Sequence, residues 1–374
     1  MLRKRMLIAA LGVTFFTACS KEASLPEGPE KGAEAPAGKP KGPFDPAAPI
    51  VTVRAAITVG KVRYDSIPGT LSIIAWDTLQ ASRETTVALK PGPNDIALPA
   101  GAVKYQLKLS KWGVTADTTV QAADLAKIDK IILAASKAAK RLTGEEKYTS
   151  VGNTWRADSK SKYSYQADGN LESVLYYGRR AGKEGLFINM EDFFVYEGGR
   201  LTTVKRYDEN GDLWIATHLG YNDAGELISL KENKEDKSGT SAAINYLPER
   251  AQVKFNYQYA NGNTMGYTQQ YRNGNLVEDA AYSSRGGSET SKYRYDFFIN
   301  PFAQLNYPDM FLSRRSKHNR TGEEKNYGGN IPSSVPYEFT YTYDEDGYPI
   351  QLLTSFKGFM SNEHLFTIKT VYKY

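Results

Sequence analysis

Tyr207-Asp208-Glu209-Asn210-Gly211-Asp212-Leu213 decides the fold. An aromatic residue closes one run, Asn-Gly marks a turn, and a leucine opens the next run. Asn-Gly and Asp-Gly supply the positive φ angles of a type I′ hairpin turn. The aromatic before the turn and the leucine after it can pair across the strands. The same order recurs from Tyr148 to Tyr374. Tyr163-Ser164-Tyr165 leads to Asp168-Gly169-Asn170-Leu171, Tyr196 to Gly198-Gly199-Arg200-Leu201, and Tyr221-Asn222-Asp223-Ala224-Gly225 to Leu227. Tyr257-Gln258-Tyr259 leads to Asn261-Gly262-Asn263, and Tyr271-Arg272 to Asn273-Gly274-Asn275-Leu276. Turns are expected at Gly169, Gly199, Gly211, Gly225, Gly262, Gly274 and Gly347. Where the spacing is regular, at about 12–14 residues, it suggests strands of about five or six residues. Hairpins in series make an antiparallel meander. The 26 tyrosines against 15 phenylalanines suit strands that are apolar on one face and wet on the other.

This theme resembles the YD (RHS-type) repeat, in which Tyr-Asp is followed by a short spacer, Gly and an aliphatic residue. A fuller resemblance is to a family of lipoprotein domains of unknown function described as porin-like in fold. It is carried by Asn300-Pro301-Phe302, by Pro308, Leu312 and Ser316 to Asn319, and by Tyr341-Thr342-Tyr343-Asp344-Glu345-Asp346-Gly347-Tyr348-Pro349. The resemblance covers about residues 145–374. It implies a long curled antiparallel sheet or open barrel, and no reaction. A transmembrane barrel needs a lipid-facing apolar band on strands of about 9–11 residues. Glu249–Tyr259 and Gly286–Phe298 instead carry Lys, Arg, Asn and Gln on both faces, and the mean hydropathy is −0.50.

Working back along the chain, residues 49–138 read as a small all-β unit. Val51, Val53, Ala55, Ile57 and Val59 alternate with polar or small residues, the period of a half-buried strand. Thr70–Asp77, Tyr105–Leu109, Thr115–Gln121 and Asp129–Ala134 give further strands. Lys90-Pro91-Gly92-Pro93-Asn94 and Lys111-Trp112-Gly113 give corners. The pattern resembles an immunoglobulin-like or prealbumin-like sandwich. Ala134–Leu142, rich in Ala and Lys, suggests a helical turn or two, with residues 139–147 as the linker to a tyrosine-rich domain at 148–374. Residues 19–48 are built mainly from Pro, Gly, Ala, Glu and Lys and read as a disordered tether.

The chain opens with Arg3, Lys4 and Arg5, then an apolar run from Met6 to Phe16, a pattern that reads as a signal peptide over residues 1–18. The run is shorter than the roughly 20 residues that cross a bilayer. Phe16-Thr17-Ala18-Cys19 resembles a bacterial lipobox, with Phe where Leu is usual. It implies cleavage ahead of Cys19 and lipidation of that cysteine, which is the only one in the chain. The protein is therefore expected in the bacterial cell envelope, held to the outer membrane, with display at the surface or toward the periplasm both open. Lipidation leaves no thiol for a disulfide, a redox motif or a Cys-based metal site.

The formal charge is +5, and loss of Arg3, Lys4 and Arg5 leaves +2. That balance, with no long basic block, argues against a nucleic-acid partner. His218, His318 and His364 show no metal-ligand spacing and read as surface or packing residues. Asp208, Asp212, Asp223, Asp344 and Asp346 sit where turns favour Asp. Residues 208–212 lack the bidentate Glu of a calcium loop. No nucleophile elbow or phosphate loop appears, and no cofactor is expected. The expected role is a non-catalytic binding or structural module, with a glycan or an envelope protein as partner. The alternatives are a glycan-active enzyme, marked by two acids in one cleft, and a carrier of an apolar ligand.

Overall fold

The computed structural model describes residues 48–65, 67–151, 154–234, 239–247, 252–284, 286–305, 316–328, 333–357 and 364–374. The expected signal peptide, Cys19, all of the expected tether but its last residue, Pro308 and Leu312 lie outside the described residues.

Eight strands come first: β1 (Ile50–Val59), β2 (Val62–Asp65), β3 (Gly69–Trp76), β4 (Ser82–Leu89), β5 (Asn94–Ala97), β6 (Lys104–Lys111), β7 (Val114–Gln121) and β8 (Lys130–Lys137). One sheet pairs β1 with β2 and β5, antiparallel, and with β8, parallel. The other runs β4-β3-β6-β7. The alternation read from the sequence decides what lies inside. Val53, Ile57 and Leu133 from one sheet and Leu71, Ile73, Leu107 and Leu109 from the other share one buried core. Ala134–Lys137 is strand rather than helix. Its pairing with β1 satisfies backbone groups that a helical turn would have to satisfy alone.

Sixteen more strands follow: β9 (Gly144–Val151), β10 (Thr154–Tyr165), β11 (Leu171–Gly178), β12 (Phe187–Glu197), β13 (Arg200–Asp208), β14 (Leu213–Tyr221), β15 (Leu227–Lys234) and β16 (Thr240–Leu247); then β17 (Gln252–Tyr259), β18 (Thr264–Arg272), β19 (Asn275–Ser283), β20 (Ser288–Tyr295), β21 (Arg320–Gly328), β22 (Ser333–Tyr343), β23 (Pro349–Lys357) and β24 (His364–Lys373). Each pairs antiparallel with the next, and β24 pairs with β9, closing a barrel. The curled sheet or open barrel is thus corrected to a closed one. The strands are also longer than expected, at eight to twelve residues.

All seven expected glycines have positive φ, but at Gly169, Gly211, Gly225, Gly262 and Gly347 the loop is not the expected two-residue turn. In the Asp208 turn, the Gly211 amide donates to the Asp208 carbonyl and the Asp208 amide to the Asp212 carbonyl. Asn210 is not among the residues with positive φ. This is a three-residue loop, a type I turn followed by a glycine bulge. The loops ending at Gly169, Gly225, Gly262 and Gly347 repeat its two hydrogen bonds. In the Asp208 turn the leading Asx side chain adds support, since Asp208 Oδ1 accepts the Asn210 and Asp212 amides; the loops led by Gln166 and Tyr259 take the same form without one. Of the expected Asn-Gly and Asp-Gly turns, only Asn273-Gly274 has positive φ at both residues. The extra residue shifts the register, so Tyr207 lies opposite Leu213 and Tyr221 opposite Leu227.

The two sheets and the barrel join within one compact unit, Ala47–Tyr374. Ile299 and Tyr348, from the barrel end, belong to the first core. The loop Asp344–Tyr348 is the fastening. Lys140 Nζ reaches Asp344 at 2.8 Å and Asp346 at 2.6 Å, and Lys137 Nζ reaches Asp346 at 3.1 Å. Tyr348 is fully buried, and its hydroxyl accepts from the Lys140 amide. Gly347 lies against the Trp112 indole so closely that an added Cβ would fall 2.4 Å from its Cδ1.

Candidate functional site

Register partners in a sheet share a face, so the pairing identifies what the barrel encloses. From β10 to β17 the inward positions are largely apolar, including Val174, Phe194, Leu219, Leu230, Ile244 and Tyr257 in one buried cluster. Charged residues interrupt them, among them Glu232 and Lys234 on β15 and one close ion pair. Arg206 donates to both oxygens of Asp192 at 2.7 Å, and Tyr176 adds a hydroxyl donor at 3.1 Å.

From β18 to β21 the inner wall turns polar. Lys325 Nζ lies 2.8 Å from Glu289 and 3.7 Å from Glu323. Arg320 pairs with Glu323 at 2.9 Å and lies 3.9 Å from the centre of the Tyr293 ring. Asp279 faces the same wall. Its Oδ1 is buried without a partner, and burial pushes its carboxyl up to about 6 despite a hydrogen bond with Gln269. On the outward face, Lys162, Lys231, Lys254, Lys292 and Glu338 are exposed.

The barrel end beside the N-terminal sheets is filled by two segments. Pro301–Gln304 makes a 3-10 turn whose preceding Asn300 caps it by accepting from the Phe302 amide. The Asn300 side chain also donates to the Ser316 carbonyl at 2.7 Å, and Asn319 donates to the Ile299 carbonyl at 3.0 Å. The Asn300-Pro301-Phe302 and Ser316–Asn319 stretches therefore meet in space.

Beneath this plug lies a cavity of about 400 Å³. Tyr295, Phe302, Phe339, Tyr341 and Tyr372 give it aromatic walls. Glu145, Lys147, Arg320, Asn300, Thr354 and Thr370 give it hydrogen-bonding groups. Glu145 is buried and accepts from Ser161 and Tyr163, both at 3.3 Å. Burial also raises the Tyr341 phenol, which stays neutral and able to donate.

The singled-out histidines are dispersed. His218 is exposed, 3.3 Å from the Thr203 hydroxyl. His318 is buried, donates Nδ1–H to the Phe298 carbonyl and meets Tyr64 edge to face; burial lowers its pKa. His364 lies on β24. Asp344 and Asp346 serve the joint, and Asp208 caps its own turn. Among the described residues, no three His, Cys, Asp or Glu side chains gather as a metal site. Asp279, Glu289, Glu323 and Lys325 had no sequence signal beyond alternation.

No family model matches the chain, that of the YD repeat included, and no curated protein matches it. Among solved structures it is similar to a porin-like protein from Bacteroides uniformis ATCC 8492, with a TM-score of 0.44, 12% identity, and coverage of 62% of this chain and 97% of that one. It is also similar to a porin-like protein from Bacteroides vulgatus ATCC 8482, with a TM-score of 0.35, 13% identity, and coverage of 62% and 98%.

Proposed function

We propose that this is a non-catalytic binding protein of the bacterial cell envelope, anchored through lipid on Cys19, that holds a small glycan in the barrel. The observation that carries the reading is the lumen cavity, where aromatic planes stand beside hydrogen-bonding groups. Sugars present an apolar ring face and a rim of hydroxyls, and such a lining matches both. About 400 Å³ lies in the range of small-molecule sites. The lysines exposed on the outward face, which interrupt its exposed aromatics Phe193, Trp214 and Tyr282, support a barrel that stands beside the membrane, since a spanning barrel needs a continuous apolar outer band.

Calorimetric titration of the mature protein with a panel of mono- and disaccharides tests this. Saturable binding is expected, weakened about tenfold or more by Tyr341→Ala, as for an aromatic anchor. Absence of binding across the panel would remove the reading. One observation favours a glycan hydrolase instead: Asp279, an acid raised to about 6 on the inner wall. That reading requires turnover of a glycan and its loss in Asp279→Asn.

A further inference from the structure

A second cavity, of about 760 Å³, lies between the N-terminal sheets and the barrel end, lined by residues from both. We infer that it is a binding site for a small ligand bearing an oxyanion, either a carboxylate or a phosphoryl group. The inference is independent of the lumen reading.

On one wall, the β1–β2 register puts Arg54, Arg63 and Asp65 on the face opposite Val53 and Ile57. Lys317 and Asp296 line the opposite wall. The two carboxylates are already occupied. Asp65 accepts from Arg63 at 2.8 Å. Asp296 accepts the Phe298 and Asn319 amides at 3.0 and 3.1 Å, and the Tyr343 hydroxyl on its other oxygen. Arg54 and Lys317 form no ion pair among the described residues, and Arg54 Nε is buried with no acceptor. A buried donor left unsatisfied is destabilising, more so when charged. An oxyanion resting on the guanidinium fork and the ammonium would neutralise the excess charge. Phe297, 43% exposed in the same cavity, offers an apolar surface to the rest of the ligand.

The test is calorimetric titration of the mature protein with D-glucuronate and with glucose 6-phosphate. Saturable binding of at least one acid is expected, weakening as NaCl rises. Arg54→Gln and Lys317→Gln should each weaken it about tenfold or more, with far-UV dichroism and melting curves showing both variants folded. The acid that binds more tightly identifies the source of the oxyanion. The proposal is overturned if neither acid saturates, or if both variants bind like the wild type. Acid binding lost in Tyr341→Ala but retained in Arg54→Gln would belong to the lumen and would equally overturn it.

Discussion

Asp279→Asn should stabilise the protein at neutral pH, and the gain should disappear in acid. Burial raises this carboxyl from an ordinary 3.8 to about 6. A group with a raised folded pKa holds its proton more firmly folded than unfolded. The unfolded chain therefore ionises first as pH rises, and stability falls between about pH 4 and pH 6. Below that window both states carry the proton and nothing is lost. Above it the full cost remains, at about 1.4 kcal/mol per pH unit, or about 3 kcal/mol. Residual solvent contact reduces this, so about 2 kcal/mol is the working figure. Asparagine is uncharged throughout and keeps a polar group toward Gln269. Urea denaturation of both proteins from pH 4 to pH 8 reads the difference directly. Burial also raises Asp296 and lowers His318, but both groups are present in wild type and variant and drop out of the comparison. A pH-independent difference, or a variant less stable than wild type at pH 7.5, would refute the reasoning.

Further outcomes concern the joint, the Arg206–Asp192 pair and the proposed lipid site. Gly347→Ala should cost more stability than Gly211→Ala, because both carry positive φ but only Gly347 has an indole in the way; φ strain alone is about 1–3 kcal/mol, and equal melting temperatures would count against the packing argument. Arg206→Ala should cost about 1–3 kcal/mol by leaving the buried Asp192 carboxylate with only the Tyr176 donor, and Asp192→Leu with Arg206→Met should recover most of it, both measured by chemical denaturation. Cys19→Ala should move the protein to the soluble fraction or leave it unprocessed; unchanged membrane retention, with no fatty-acid label on the wild type, would contradict lipidation.

Local pairing was legible because its determinants lie within a few residues. Tyr221 and Leu227 flank one turn, and Gly225 marks it. The turn type was not, because an Asn-Gly or Asp-Gly dipeptide marks the glycine with positive φ but not the number of residues in the loop. The joint shows a different limit. Asp344, Asp346, Gly347 and Tyr348 stood out as a motif, but their partners Lys137 and Lys140 lie about two hundred residues away. A lysine at a strand end looks the same whether it is solvated or clamped. The lumen is subtler still. Asp279 and Glu278 are adjacent acids on one strand, and only the register sends Asp279 toward Gln269 inside and Glu278 to the other face.

The seam between β9 and β24 has a consequence for how the barrel is made. Fifteen of its pairings join neighbours in sequence and can form as each hairpin appears. The sixteenth ties Glu146 to Lys373, 227 residues apart, and gains nothing from local closure. Until it forms, β9 and β24 both present unpaired backbone to any passing strand. The interval before closure is therefore when the chain is most exposed to strand exchange with other copies. Weakening the seam should raise aggregation during refolding well before it lowers the stability of the finished barrel.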